Sequence, residues 1–164
     1  MIESRIGNYR VVRKLGEGGM GAVYEAVHEQ IGRRAAIKIL HAHLSRDSEQ
    51  VTRFLNEARA VNIVTHPSMV QIYEYGTLPD SSTFIIMEYL EGESLKGRLQ
   101  RNNGRLGPDV LRITRQIASA LAAAHAKGII HRGLKLPSRT AIPFFPGMVP
   151  ATEAQGKRKQ AWGL

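Results

Sequence analysis

The stretch "LGEGGMGAVYEAVH", residues 15–28, limits the possible folds more than any other. Gly16, Gly18 and Gly21 are spaced G-x-G-x-x-G, and glycine lets a backbone approach a phosphate with no Cβ in the way, often at positive φ. The same spacing occurs in dinucleotide folds, where a helix follows the loop. Here "AVYEAVH" follows, and its β-branched and aromatic residues favour a strand. The reading is a hairpin whose tip covers phosphates. A plain glycine-rich turn remains an equal alternative for the loop taken by itself.

Neighbouring runs extend the pattern. "YRVVRKL" (9–15), "AVYEAVH" (22–28) and "AAIKIL" (35–40) predict an antiparallel meander. Ser45, Asp47 and Ser48 offer N-caps to a helix on which Val51, Phe54, Leu55, Ala58 and Val61 form an apolar stripe. Pro67 ends it by disfavouring helix at His66. "MVQIYEYG" (69–76) and "TFIIMEYL" (83–90) predict a second hairpin. The fold class is therefore α+β, with a five-stranded antiparallel sheet and one helix in residues 1–90.

Within that lobe, Lys38 is a cation in an apolar run, seventeen residues after Gly21. Such a lysine either snorkels at a sheet edge or neutralises phosphate. Nineteen residues later Glu57 flanks the helix stripe, where a carboxylate can reach back towards the sheet and hold Lys38. Taken alone, Glu57 reads more simply as a surface acid paired with Arg53 one turn earlier.

Beyond residue 90 a short amphipathic segment spans Ser94–Gln100. A regular helix then runs from Pro108 and Asp109 to Gly128, with Val110, Ile113, Ile117, Leu121 and Ala124 on one face. Residues 139–164 contain Pro143, Pro146, Pro150 and the basic "GKRKQ", and no regular element is expected there. Charge is uneven: residues 1–90 carry ten Lys/Arg and ten Asp/Glu, whereas residues 91–164 carry thirteen against four. This fits either a surface for polyanions or a domain without its balancing acidic segments. The second is preferred, and nucleic acid is not the expected partner. The chain has no cysteine, no apolar run of membrane-spanning length and no secretory-type N-terminus, so a cytoplasmic setting is expected.

Taken in order, the glycine loop, Val23, "AIK", the helical glutamate, "MEYLEGESL" and "IIHR" resemble the eukaryotic-like serine/threonine protein kinases of bacteria, over about residues 9–135. The resemblance implies ATP as ligand, with magnesium, and transfer of its γ-phosphate to protein Ser or Thr. It implies that Gly16, Gly18 and Gly21 cover the phosphates, that Val23 and Ala36 sandwich the adenine, and that Leu15 belongs to the ATP site. Lys38 would contact the α- and β-phosphates, positioned by Glu57. Met87 would be the gatekeeper, and the backbone from Glu88 to Leu90 the hinge meeting the adenine edge. It divides the chain into a small lobe (1–90), a hinge and partial helical lobe (91–138) and an atypical tail (139–164).

The catalytic loop departs from the family. The family reads His-Arg-Asp-Leu-Lys-Pro-x-Asn; this chain reads His131-Arg132-Gly133-Leu134-Lys135-Leu136-Pro137-Ser138. Lys135 is retained, Gly133 cannot act as a base, and base assistance is worth about 10²–10⁴-fold. Ser138 takes the place of a magnesium-binding asparagine, no aspartate follows Asp109, and no Asp-Phe-Gly occurs. A shift of reading frame near codons 133–136 would explain so abrupt a change. The expectation is a truncated kinase chain that binds ATP and transfers phosphate poorly, with no intact catalytic or metal residues. Two alternatives stand beside it: a pseudokinase-like binding module, and an active kinase completed by a second chain. The apolar face of helix 109–127 is expected to meet a protein partner or to drive self-association.

Overall fold

The computed structural model describes residues 3–92, 94–105, 107–131 and 148–150. Alternating side chains build a sheet of six strands, all paired antiparallel: β1 (Arg5–Ile6), β2 (Tyr9–Glu17), β3 (Gly21–His28), β4 (Arg34–Leu40), β5 (Ile72–Thr77) and β6 (Thr83–Glu88). Their order is β1-β2-β3-β4-β6-β5. The sixth strand, β1, was not expected. It is two residues long, and Gly7 at φ 56° turns it back so that Ile6 pairs with Tyr9. So short a run leaves no periodicity to read.

Period-two alternation divides the sheet into two apolar faces. One carries Val11, Tyr24, Ala26, Ala35, Ile37, Phe84 and Ile86. The other carries Ala36, Ile85 and Met87 and is covered by Phe54 and Ala58 of α2 (Ser48–Ile63), which a short α1 (Ala42–Ser45) precedes. Of the three offered caps, Asp47 is the one used: its carboxylate accepts the Glu49 and Gln50 N–H groups at 2.9 and 3.4 Å. Ser45 turns elsewhere, accepting the Thr83 N–H at 3.2 Å. Met69 and Val70, expected to open β5, are buried in the connection before it.

Two helices follow, α3 (Leu95–Arg101) and α4 (Asp109–Ala126). Gly128, at φ 70°, closes α4 and leads into β7 (Ile129–His131). The buried side of α4 keeps most of the expected face, with Ile117 and Leu121 half-buried on it, and departs at its N-terminal end. Ile113, Ala120 and Ala124 are buried, while Val110 and Leu111 are exposed. Ala120, Ala124 and Ile129 pack with Ala60, Val61, Val64 and Met69 at the end of α2. The part of α4 that joins this cluster is thus made of alanines, Ala123 packing beside Ala120 and Ala124. Ser119 adds a 3.0 Å hydrogen bond to the His66 ring. The tail also departs in one place: Met148–Pro150 forms β8, antiparallel to β7 with Pro150 opposite Ile129. A proline is tolerated at a strand end, where no further ladder bond is required.

Candidate functional site

Cross-strand register assembles the site. Val23 faces Lys38 and Lys38 faces Ile85; one step along, Glu25 faces Ala36 and Ala36 faces Met87. Alternation then places Val23, Glu25, Ala36, Lys38, Ile85 and Met87 on one face of the sheet. Ala36, Met87, Leu15, Val23 and Leu90 join a single apolar cluster with Phe54 and Leu40. Five residues expected at the ATP site are thus brought together.

Lys38 and Glu57 are brought together as well. Lys38 Nζ stands 3.4 Å from Glu57 Oε2 and 5.1 Å from the centre of the Phe54 ring, and both charged side chains are nearly buried. The alternative partner of Glu57 is otherwise engaged: Arg53 pairs with Glu49 one turn earlier. Glu57 projects inward because it shares the buried side of α2 with Phe54, Ala58 and Val61. Burial pushes the Lys38 ammonium below the usual lysine range, and the charge of Glu57 and its hydrogen bond oppose that push. The result is a cation held in place beside the apolar cluster, suited to neutralising an anionic group.

The glycines separate into two kinds. A Cβ built on Gly21 would lie 2.1 Å from the Ile39 carbonyl oxygen, so glycine there lets β3 run close beside β4. At Gly16 and Gly18 a Cβ would meet nothing within 4 Å, so nothing in the protein's own packing calls for glycine there. None of Gly16, Gly18 or Gly21 adopts positive φ, so the backbone freedom anticipated for this loop is not what selects them. The tip is anchored from one side. The Gly18 N–H donates to the Gly21 carbonyl at 2.9 Å, the His41 N–H to the Met20 carbonyl at 3.0 Å, and the His41 ring lies 3.0 Å from the Gly18 carbonyl. In the hinge stretch, the Glu88 N–H donates to the Gln71 carbonyl at 2.9 Å.

Gly133, Lys135 and Ser138 lie outside the described residues. Among the described residues no three His, Asp or Glu side chains converge on a point that could hold a metal ion. Of the buried carboxylates on this face, Glu57 is paired with Lys38 and Glu25 with Arg13 and Arg34, so this part of the chain does not fit a magnesium ion.

Sequence reasoning missed one group on the same face. Glu25 is only 6% exposed and is flanked by Arg13 and Arg34, and Arg34 also reaches Glu91 and the Tyr89 ring. The signal was present: a carboxylate inside "AVYEAVH" interrupts an apolar run as Lys38 interrupts "AAIKIL".

Comparisons with known proteins agree with this geometry. The protein kinase domain family matches residues 9–137. Serine/threonine-protein kinase Pkn1 of Myxococcus xanthus is 44% identical over 135 residues, which are 82% of this chain and 19% of that protein. Serine/threonine-protein kinase PrkC of Bacillus subtilis is 40% identical over 136 residues, 82% of this chain and 21% of that protein. The chain therefore spans about a fifth of the length of these curated relatives. Among solved structures, the Mycobacterium tuberculosis PknI kinase domain superposes with a TM-score of 0.72 at 26% identity, covering 90% of this chain and 61% of that one.

Proposed function

Because the chain belongs to the protein kinase family and resembles its bacterial serine/threonine members, we propose that residues 9–131 form an ATP-binding face. Leu15, Val23, Ala36, Met87 and Leu90 enclose the adenine, and the backbone from Glu88 to Leu90 meets its edge. Gly16 and Gly18 lie over the phosphates, and Gly21 holds the hairpin against β4. Lys38 neutralises the α- and β-phosphates, and Glu57 fixes the ammonium in place. Residues 1–90 serve as the nucleotide-covering lobe, residues 91–138 as the hinge and the start of the helical lobe, and residues 139–164 as an appended tail. No helix among the described residues is long and apolar enough to cross a membrane, and a cytoplasmic role suits the family chemistry.

The asparagine and the Asp-Phe-Gly by which the family holds magnesium have no counterpart in this sequence, where Ser138 takes the asparagine's place and no aspartate follows Asp109. Gly133 stands where the family has the aspartate that accepts the hydroxyl proton. The proposed activity is therefore nucleotide binding with little or no phosphoryl transfer by this chain.

The observation that carries this reading is the contact of Lys38 with Glu57 on the face that also holds the five apolar wall residues. Thermal unfolding with and without ATP tests it. A ligand at a hundred times its Kd stabilises the folded state by about 2.7 kcal/mol, so Tm should rise with ATP and the rise should vanish in Lys38→Met. An ATP-independent Tm overturns the reading. Exposure of Leu111 at 73%, next to Val110, favours a second reading, a regulatory module that binds a protein through α4. Concentration-independent sedimentation as a monomer with no hydrophobic-dye binding would count against it.

A further inference from the structure

We infer that Glu25, Arg34 and Glu91 form an electrostatic strap that fixes the hinge segment to the sheet, making Arg34 a positioning residue for the adenine edge. This deepens the ATP reading above and rests on it.

The strap starts from a buried charge. A carboxylate taken out of water is retained only if cations and hydrogen bonds replace its hydration. Glu25 receives both. Arg34 donates to Glu25 Oε1 from Nε at 3.0 Å and from Nη2 at 2.7 Å. Arg13 Nε stands 2.7 Å from the other oxygen, an ion pair without hydrogen-bond alignment. Two of the three guanidinium nitrogens of Arg34 are thus committed to one buried oxygen, which fixes the plane of the group. The third, Nη1, is left pointing at Glu91, with which it pairs. The same guanidinium lies over the Tyr89 ring, 4.0 Å from its centre, and Arg13 Nη2 donates to the Tyr89 hydroxyl at 3.4 Å.

The position of this cluster gives it a role. Arg34 opens β4 two residues before Ala36, Glu25 faces Ala36 across the β3–β4 ladder, and Ala36 faces Met87. The network therefore borders the apolar wall on its own sheet face, and its far end holds Tyr89 and Glu91, which flank Leu90. The pair of Arg34 with Glu91 is exposed at the Glu91 end (75%), where an isolated ion pair contributes little to stability. Its effect lies in orientation, because Glu25 has already fixed the guanidinium before Glu91 meets it. Holding residues 89–91 in register with Ala36 presents the hinge backbone to a flat base at a set distance from the wall.

The test uses the full chain with Arg34→Ala, Arg34→Lys and Glu91→Gln, the last a surface change that leaves Glu25 paired. Two readouts are taken. Hydrogen exchange of amides 89–92 in the ligand-free chain reports the strap itself. Calorimetric binding of adenosine and of inorganic tripolyphosphate reports its consequence. Arg34→Ala and Glu91→Gln should both speed exchange at the hinge, and Arg34→Ala should weaken adenosine about five- to tenfold while leaving tripolyphosphate unchanged. Arg34→Lys should recover part of the adenosine affinity. Unchanged hinge exchange in both variants overturns the strap, whether or not the chain binds nucleotide. Faster exchange with equal loss of both ligands overturns the positioning role and reduces Arg34 to a stabilising residue. Wild-type chain that binds ATP while Arg34→Ala keeps full adenosine affinity overturns the inference and spares the ATP reading; wild-type chain that binds neither adenosine nor ATP overturns both.

Discussion

Lys38 reaches from the middle of β4 to Glu57 on α2, 3.4 Å between Nζ and Oε2, and the two charges compensate each other on a nearly dry face. A buried pair of this kind adds little net stability compared with apolar residues, but removing one partner leaves the other charged and alone. Lys38→Met and Glu57→Gln should each destabilise the chain, and the double variant should be less destabilised than the sum. The expected coupling is about 1–3 kcal/mol, read from urea denaturation of the four proteins of the cycle. Additivity would mean that the contact is not energetically formed.

The same burial gives a pH signature. Lys38 is depressed below its ordinary value of 10.5, chiefly by desolvation. Its folded-state pKa is thus below its unfolded one, and between the two the unfolded chain holds more protons. In that window stability rises with pH. The penalty of the charged, buried ammonium is fully present below the folded pKa and is gone above the unfolded one. Wild type should therefore gain stability relative to Lys38→Met as pH is raised towards 10.5, in denaturation midpoints compared pairwise. A difference that stays flat or shrinks would contradict the burial of this group.

Much of this arrangement was legible in the sequence because it depends on period. Alternation and helical spacing marked the strands and put Glu57 beside Phe54, while Val23, Ala36, Lys38 and Met87 were singled out by resemblance to the kinase family, and only the strand register sets them on one face. Pairing partners were less legible, because a pair needs two elements and a register. Glu57 alone favoured Arg53, and only the approach of α2 to the sheet decides for Lys38. Glu25 was passed over for the same reason. Its value lies in Arg13 across β2 and Arg34 on β4, which no pattern within β3 records. The α4 face was legible except near its start: Ile113 and Ala124 are buried as the spacing predicts, whereas hydrophobicity ranks Val110 above Ala120 and burial reverses that order.

That reversal is measurable. Ala120 and Ala124 are each about 1% exposed and pack in one cluster with residues of α2 and β7. Ala120→Leu or Ala124→Leu should cost about 1–3 kcal/mol by overpacking. Leu111→Ser, on the exposed side, should change stability by less than about 0.5 kcal/mol. Equal effects of the two kinds of change would place the contact face of α4 elsewhere.

The glycine loop offers the sharpest separation of structure from function. Gly21 is held against the β4 backbone, with Ile39 O at 2.1 Å from any added Cβ, and a carbonyl cannot swing aside as a side chain can. Gly21→Ala must push β3 away from β4, and a loss of about 2 kcal/mol or more is expected, with ATP binding lost along with the hairpin. Gly18→Ala meets no atom and no unfavourable φ. Restricting the unfolded chain there should leave stability unchanged or raise it by about 0.4–1 kcal/mol. Its Cβ would occupy the space assigned to phosphate, so ATP-dependent stabilisation should fall while intrinsic stability holds. Denaturation midpoints with and without ATP for the two variants distinguish the roles. If Gly18→Ala keeps the full ATP effect, the loop tip does not cover the phosphates, and the glycines at 16 and 18 require another explanation.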